Sequence, residues 1–450
     1  MTKLKDKKNV KISRRELLKK SSATAGVLAT SSAFGPFVHA KEHEVLHWSW
    51  LSASDGAVWK SCVDDYNNSD FSKKNRIKCK YVQADSSQYD TKVLAALTAN
   101  KQPDFGWAFY KTRLRWVKDG IVLPLRNLGK QVGLDWSDFS DYSLKETQYP
   151  TFDDDYYSVS LDMMAWQTEV NLDHVKEAGL PVDGEPNGGD ELIEWAKRTT
   201  KTDSSGNIIR SGIVNMGQGI QAQVTWGIVA HQMGFRRCTD DFKTAIVNEE
   251  AGIKAMEWIM DSFDVHKVSS KNVTDRYKYF GAGKGTFFWT GPWTLTGYVN
   301  KGLNFKTIYM PNIGGEQVTV GSVGPMEVYA NKDEGRYEPT MHVVKWLSDN
   351  SFKWCTEGRG GSPRPSINSR PDYKTAGHPW KVRGAFHSAK GLDMATVPNS
   401  LPVYNGADFS VYGGANLVQK TLDKVWAGRK DPKDAMAELR RKFQKNLDKT

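Results

Sequence analysis

Apolar and polar positions follow two alternating periods along the first part of the chain. Residues 44–50 are apolar enough for a strand, and residues 76–82 show the two-residue period of strands. Residues 55–68 show the helical period, with Asp55 as the N-cap. A second helix is predicted over residues 86–100, and a third strand over residues 104–109. A β-α-β-α-β order requires right-handed crossovers and therefore predicts an α/β fold with a parallel, doubly wound sheet.

The first forty residues have a different pattern. Five lysines precede residue 12, the sequence S-R-R-E-L-L-K begins at Ser13, and a short, interrupted apolar segment ends at Val38-His39-Ala40. This order is typical of a twin-arginine (Tat) signal peptide cleaved after residue 40. The apolar part is shorter than the roughly 20 residues that a transmembrane helix needs. We therefore expect an exported protein that works in the periplasm.

Removal of this leader changes the charge of the protein. The whole chain has 62 Lys and Arg against 52 Asp and Glu, and the leader holds nine of the basic and two of the acidic residues. The remainder carries 53 basic and 50 acidic residues, so its charge does not support nucleic-acid binding. Its length of about 410 residues exceeds what one core usually holds, which favours two lobes.

The four cysteines form no C-x-x-C pair, so the sequence does not support a zinc or redox site. Cys62 lies at helical spacing from core-type residues, and Cys79 alternates with apolar residues in the second strand. Both are expected in one core, either as a disulfide or as two buried free thiols. A bridge between Cys238 and Cys355 is a further alternative.

The predicted sheet indicates where a ligand would bind. In open α/β sheets, ligands bind outside the carboxyl ends of the strands. The residues that follow the three predicted strands are therefore candidates: Trp48, Trp50, Asp55, Gln83, Asp85, Trp107 and Tyr110.

The aromatic content indicates a carbohydrate ligand. All sixteen tryptophans follow the leader, and indole rings stack on the C–H faces of sugars while polar side chains bind the hydroxyls. The candidate stacking platforms are Trp48, Trp50, Trp107, Trp226, Trp289, Trp293 and Tyr412. The candidate polar groups are Asp55, Gln83, Asp85, Asp162 and Arg364. Four tryptophans at mid-helix positions are instead expected in the core: Trp59, Trp195, Trp258 and Trp346.

Several phrases of the sequence occur together in one known family. In chain order they are Trp48-Ser49-Trp50, the segment from Tyr89 to Leu97 before Pro103-Asp104, Gly120 to Leu125, GKGTFFWTGPW from Gly283, and GSPRPS from Gly361. In this order they resemble family 1 extracellular solute-binding proteins, which serve ABC sugar importers. In place of the family's y-G-(I/L/V)-P strand, this chain has Tyr157-Ser158-Val159-Ser160.

The resemblance implies two α/β lobes that close on a ligand about a hinge. By analogy, the N-terminal lobe comprises residues 41–160 and 316–347, and the C-terminal lobe comprises residues 161–315 and 348–450. The implied partners are a small carbohydrate and the ABC permease subunits. A monomer is expected, with no cofactor, no metal and no enzymatic activity.

Other functions have less support in the sequence. A glycosidase requires two carboxylates at a defined separation, and Asp153-Asp154-Asp155 is more typical of a solvated loop. A ferric-ion site would need paired tyrosines, but Tyr156 and Tyr157 are neighbours in a predicted strand and point to opposite faces. His43 and His47 flank a strand and are expected on the surface. A polyol or polyamine ligand stays an alternative.

Overall fold

The protein is described from a computed structural model that covers residues 42–85, 88–107, 114–149, 152–215, 219–239, 243–247, 249–316, 318–358, 361–373, 397–398 and 417–448. The strands are β1 (His43–Ser49), β2 (Ile77–Gln83), β3 (Phe105–Trp107), β4 (Val159–Ala165), β5 (Gln167–Asn171), β6 (Lys201–Thr202), β7 (Ile208–Ile213), β8 (Gly285–Thr290), β9 (Phe305–Ile308), β10 (Val320–Val328) and β11 (Val397–Pro398). The α-helices are Ala53–Asn68, Asp70–Asn75, Tyr89–Thr98, Leu114–Lys118, Arg126–Gln131, Asp141–Thr147, Leu172–Glu177, Gly189–Thr199, Gly219–Gln232, Glu249–Asp264, Arg276–Gly281, Leu295–Asn300, Tyr337–Asp349, Phe352–Glu357, Pro365–Asn368, Leu417–Trp426 and Pro432–Leu447.

The first sheet has the order β11-β10-β3-β1-β2, and β4 also pairs with β10. β1 runs parallel to both β2 and β3, so the parallel arrangement predicted for the first three strands is confirmed. β10 runs antiparallel to β3 and β4. The complete sheet is therefore mixed.

The second sheet has the order β6-β7-β8-β5-β9. β7 and β8 are parallel, whereas β5 runs antiparallel to both β8 and β9. Helices pack against each sheet, and the two sheets have separate main cores. This arrangement is the two-lobed α/β fold that the sequence predicts.

The core contacts of the C-terminal part differ from the predicted division of the lobes. The prediction placed residues 348–450 in the C-terminal lobe, but Trp354 and Tyr373 lie in the core of the first sheet. The helices Leu417–Trp426 and Pro432–Leu447 pack in the core of the second sheet. These contacts favour a boundary after residue 373, and the limits of the lobes stay a prediction.

The start of the first helix was predicted wrongly. The helix begins at Ala53 with Ser52 as its N-cap, and Asp55 lies in the first turn. A carboxylate in the first turn still interacts favourably with the helix dipole. The predicted strand over residues 76–82 begins one residue later, because Arg76 has φ 54° and ends the preceding helix.

His47 and three of the four cysteines are buried. His47 is fully buried and stacks on Phe105, with 4.1 Å between the ring centroids. Its Nε2 accepts a hydrogen bond of 2.8 Å from Trp59 Nε1, and burial lowers its pKa to about 3. The surface position expected for His47 is therefore wrong. Cys62 and Cys79 share the first core as predicted, and all four cysteines are free thiols.

Candidate functional site

The chain crosses between the two sheets at the carboxyl end of β4. A single residue, Trp166, separates β4 from β5. The N–H of Trp166 donates to the carbonyl of Val320 at 2.8 Å, and its own carbonyl accepts from Thr319 Oγ1 at 2.9 Å. The chain returns from the second sheet to the first between β9 and β10, and these hydrogen bonds place this second crossing beside the first. Because ligands of α/β sheets bind at the carboxyl ends of strands, this junction and the neighbouring strand ends form the candidate site.

Four of the predicted site residues meet at the carboxyl ends of β1 and β2. In the parallel register Trp48 lies opposite Val82, and Ser49 lies opposite Gln83. Trp48 and Trp50 are half-buried, while Gln83 and Asp85 are exposed. The structure thus combines two partly accessible indoles with an amide and a carboxylate, which is the combination that carbohydrate binding requires.

Asp55 lies close to this group in sequence, in the first turn of the helix Ala53–Asn68, and is half-buried. The N–H of Gly56 donates to the carbonyl of the N-cap residue Ser52 at 3.0 Å, which is the first hydrogen bond of this helix. An added Cβ at Gly56 would lie 2.8 Å from the carbonyl oxygen of Leu51. Glycine at this position therefore lets the helix start close to the end of β1.

Trp107 and Asp162 also come together, but on the buried face of the first sheet. The Trp107 ring packs edge-to-face on Trp59 and Trp354, with centroid distances of 4.8 and 5.0 Å. Asp162 Oδ2 accepts a hydrogen bond of 2.8 Å from Trp354 Nε1. An added Cβ at Gly324 would meet both Asp162 and Trp107 within 2.6 Å. In this conformation both residues stabilise the core of the first lobe instead of presenting a face to a ligand.

On the second sheet, Trp293 and Trp166 form an aromatic pair beside the crossing. Trp293 is half-buried, and its ring centroid lies 5.7 Å from that of Trp166 at an interplanar angle of 72°. The Trp293 ring folds back so closely that a Cβ at Gly291 would lie 1.9 Å from it. The Gly-Pro-Trp sequence therefore fixes the position of this indole. The Arg276 guanidinium lies 4.9 Å from the Trp166 ring centroid.

Trp166 was missed by the sequence analysis. It lies inside an apolar run with no turn residue to mark a strand end. The rule that selected Trp48 and Trp107, an aromatic residue where a strand ends, also fits Trp166, which directly follows the last residue of β4.

Three other predicted site residues have structural roles. Trp226 donates its Nε1–H to the carbonyl of Gly252 at 3.0 Å inside the second core. Trp289 stacks on Trp258 in the same core, with centroids 5.7 Å apart. Both indoles therefore pack in the core of the second lobe.

Arg364, the third of these residues, forms ion pairs with Asp138 at 2.8 Å and with Asp349 at 2.6 Å. These contacts hold the turn after Gly361 to the helix Tyr337–Asp349. The guanidinium is thus occupied by two carboxylates of the first lobe. The predicted candidates Tyr110 and Tyr412 lie outside the described residues.

A buried carboxyl group lies next to the crossing. Glu169, in the middle strand β5, accepts hydrogen bonds from Thr307 Oγ1 at 2.8 Å and from Gln167 Nε2 at 2.9 Å. Burial raises the pKa of Glu169 to about 8, although both hydrogen bonds act in the opposite direction. This side chain is therefore mostly protonated at neutral pH.

Within the described residues there is no group of three or more histidine, cysteine or acidic side chains that could hold a metal ion. None of the described helices is long and apolar enough to cross a membrane.

Comparison with known proteins identifies the family. A model of the bacterial extracellular solute-binding protein family matches residues 50–345. No curated protein matches the sequence at a significant level.

Solved structures of similar fold cover nearly the whole chain. UgpB from Mycobacterium tuberculosis, in complex with glycerophosphocholine, is similar with a TM-score of 0.74 and 17% identity over 91% of this chain and 99% of its own. An ABC substrate-binding protein from Listeria monocytogenes, in complex with cycloalternan, has a TM-score of 0.73 and 15% identity over 91% of this chain and 100% of its own. The GacH receptor of Streptomyces glaucescens, which was solved with acarbose, has a TM-score of 0.71 and 18% identity over 91% of this chain and 99% of its own. The chain belongs to the bacterial extracellular solute-binding protein family.

Proposed function

We propose that the protein captures a carbohydrate between its two lobes and delivers it to the permease of an ABC importer. The observation that carries this proposal is the placement of half-buried indoles on both sides of the crossing. Trp48 and Trp50 lie at the edge of the first sheet, and Trp293 lies at the edge of the second. A sugar between these edges would stack on aromatic faces from both lobes, and a ligand that contacts both lobes favours the closed state.

Two of the similar proteins support a sugar as the ligand, since they were solved with cycloalternan and with acarbose. The third was solved with glycerophosphocholine, so a glycerophosphodiester belongs in any ligand screen. We further propose that residues 1–40 are a Tat-type leader and that the mature protein acts as a periplasmic monomer.

The proposal is tested by ligand titration of the mature chain, residues 41–450. Mono- and oligosaccharides, polyols, glycerophosphodiesters and polyamines are screened by thermal shift, and positives are measured by tryptophan fluorescence and calorimetry. A ligand at a hundredfold excess over its Kd stabilises the native state by about 2.7 kcal/mol. We expect such a shift with one class of carbohydrate, which should be recovered chemically unchanged.

A pair of tryptophan variants shows whether the proposed site is the one used. Trp293→Ala should weaken sugar binding at least tenfold, since truncation of a central aromatic contact typically costs about 2 kcal/mol or more. Trp346→Ala is the matched control, because Trp346 is also half-buried but packs on Tyr66, with centroids 5.4 Å apart. Equal affinities of the two variants would contradict the proposed site. Binding of a polyamine or a phosphodiester, without binding of any sugar, would contradict the proposal that the ligand is a carbohydrate.

A further inference from the structure

Two buried polar side chains face each other at the edge of the second sheet. Thr290 is the last residue of β8, Gln167 is the first residue of β5, and the two lie directly opposite in the antiparallel register. Thr290 is 0% exposed and Gln167 is 2% exposed. Within the described part of the chain, Thr290 Oγ1 and Gln167 Oε1 have no hydrogen-bond partner. Buried polar atoms are nearly always paired, so these two require an explanation.

The rest of the Gln167 side chain is fixed. Its Nε2 donates to Glu169 Oε1 at 2.9 Å, and the other oxygen of Glu169 accepts from Thr307 Oγ1 at 2.8 Å. Because the amide nitrogen is bonded to Glu169, the amide oxygen is directed away from Glu169. Side chains directly opposite in an antiparallel pair lie on the same face with Cβ atoms about 5 Å apart, and Thr290 Oγ1 and Gln167 Oε1 are not hydrogen-bonded to each other.

The position of this pair in the fold connects it with the proposed sugar site. Gln167 follows Trp166 in the chain, and Thr290 is separated from Trp293 only by Gly291 and Pro292. The two unpartnered atoms therefore lie at the strand ends that carry the aromatic pair. They are shut off from solvent in this conformation, so a ligand reaches them only when the packing at this edge opens.

From this arrangement we infer that Thr290 and Gln167 bind one neutral hydroxyl group of the ligand and thereby select carbohydrates. The inference rests on the proposed function. A sugar hydroxyl would accept a hydrogen bond from Thr290 Oγ1 and donate one to Gln167 Oε1, so that all three groups are satisfied. A carboxylate or phosphate has no proton to donate and would face the lone pairs of the amide oxygen.

A cationic ligand is disfavoured by a second feature of the same edge. The Arg276 guanidinium is buried here, with Nη1 3.3 Å from the carbonyl of Trp289 and its charge over the Trp166 ring. A second positive charge beside it would be repelled. Arg276 therefore acts against a cationic ligand only, and an anion is disfavoured at this pair by the lone pairs of Gln167 Oε1 alone.

The inference is tested with Thr290→Val, which replaces the hydroxyl by a methyl group of similar size, and with Thr290→Ser as the matched control. In the absence of ligand, Thr290→Val should melt at the same temperature as the wild type or higher, because it removes an unpaired buried hydroxyl. With the carbohydrate found for the wild type, its Kd should rise about tenfold, the loss expected for one hydrogen bond. Thr290→Ser should bind within about threefold of the wild type.

A series of monodeoxy analogues of that carbohydrate identifies the hydroxyl. One analogue should bind the wild type about as weakly as the parent sugar binds Thr290→Val, and the two losses should not add in the variant. Unchanged affinity of Thr290→Val, or an equal loss in Thr290→Ser accompanied by a lower melting temperature, would overturn the inference and leave the sugar function intact. If the wild type itself binds no carbohydrate, the proposed function fails and the inference falls with it.

Discussion

The buried carboxyl group of Glu169 makes the stability of the protein depend on pH in a predictable direction. Glu169 lies in the middle of the second sheet, opposite Phe288 on one side and Thr307 on the other, and is fully buried. Glu169→Gln replaces it with a side chain of the same shape that can accept from Gln167 and bond to Thr307. The substitution removes the titration while it keeps the packing.

The magnitude follows from the two pKa values of this carboxyl. Its ordinary pKa is 4.5, and burial raises it to about 8 in the folded state. Between these values the folded protein holds a proton that the unfolded chain has released. The free energy of unfolding therefore falls as pH rises, by about 1.4 kcal/mol per pH unit. From pH 5.5 to 7.0 this loss amounts to about 2 kcal/mol, and it levels off above pH 8.

The assay is urea unfolding of the mature wild type and of Glu169→Gln at several pH values between 5.5 and 7.0. Other groups with shifted pKa values, such as His47 and His174, titrate in both proteins and cancel in the difference. We expect the variant to gain stability relative to the wild type, by about 2 kcal/mol between the two ends of this range. Parallel stability profiles would show that Glu169 is ionised in the folded protein and would refute the reasoning.

Two substitutions and one thiol titration test the structural roles of other residues. Arg364→Met should lower the free energy of unfolding, measured in urea, by about 3 kcal/mol, because it leaves Asp138 and Asp349 without their buried partner. A loss below about 0.5 kcal/mol would show that these ion pairs contribute no more than pairs on the protein surface. Asp162→Ala should destabilise by about 2 kcal/mol in the same assay, since the Trp354 indole loses its acceptor, and an unchanged stability would contradict that bond. The denatured, unreduced mature protein should react with four equivalents of a thiol reagent, whereas two equivalents would indicate a disulfide.

The local elements and the fold class could be predicted because they depend on short-range patterns. The apolar segment 44–50 and the period-two segment 76–82 became β1 and β2, and the intervening helix gave the parallel crossover. Such features are encoded by neighbouring residues, so a single sequence is enough to find them.

Which aromatic residues pack in the core and which stay accessible to a ligand could not be predicted in the same way. Trp48 and Trp107 both lie near strand ends of the first sheet, but Trp107 is covered by Trp354 from a much later helix, whereas Trp48 stays half-buried. The two-residue period assigns alternate residues to opposite faces without saying what covers each face. In α/β sheets both faces are covered by helices, so hydrophobicity does not distinguish the core from the ligand site.

The edge of the second sheet shows the limit of sequence analysis most clearly. Nothing in the sequence around Gln167 or Thr290 indicates that the two residues are neighbours. They belong to β5 and β8, which are far apart in the chain and meet only in the antiparallel pairing of the second sheet. A polar residue in an apolar run is usually paired, and only the structure reveals that these two atoms are not. Departures from local consistency are expected where a protein is built for a ligand instead of for stability. The unpaired hydroxyl of Thr290 and the unpaired amide oxygen of Gln167, beside the aromatic pair of Trp166 and Trp293, are therefore the basis of the proposed hydroxyl contact.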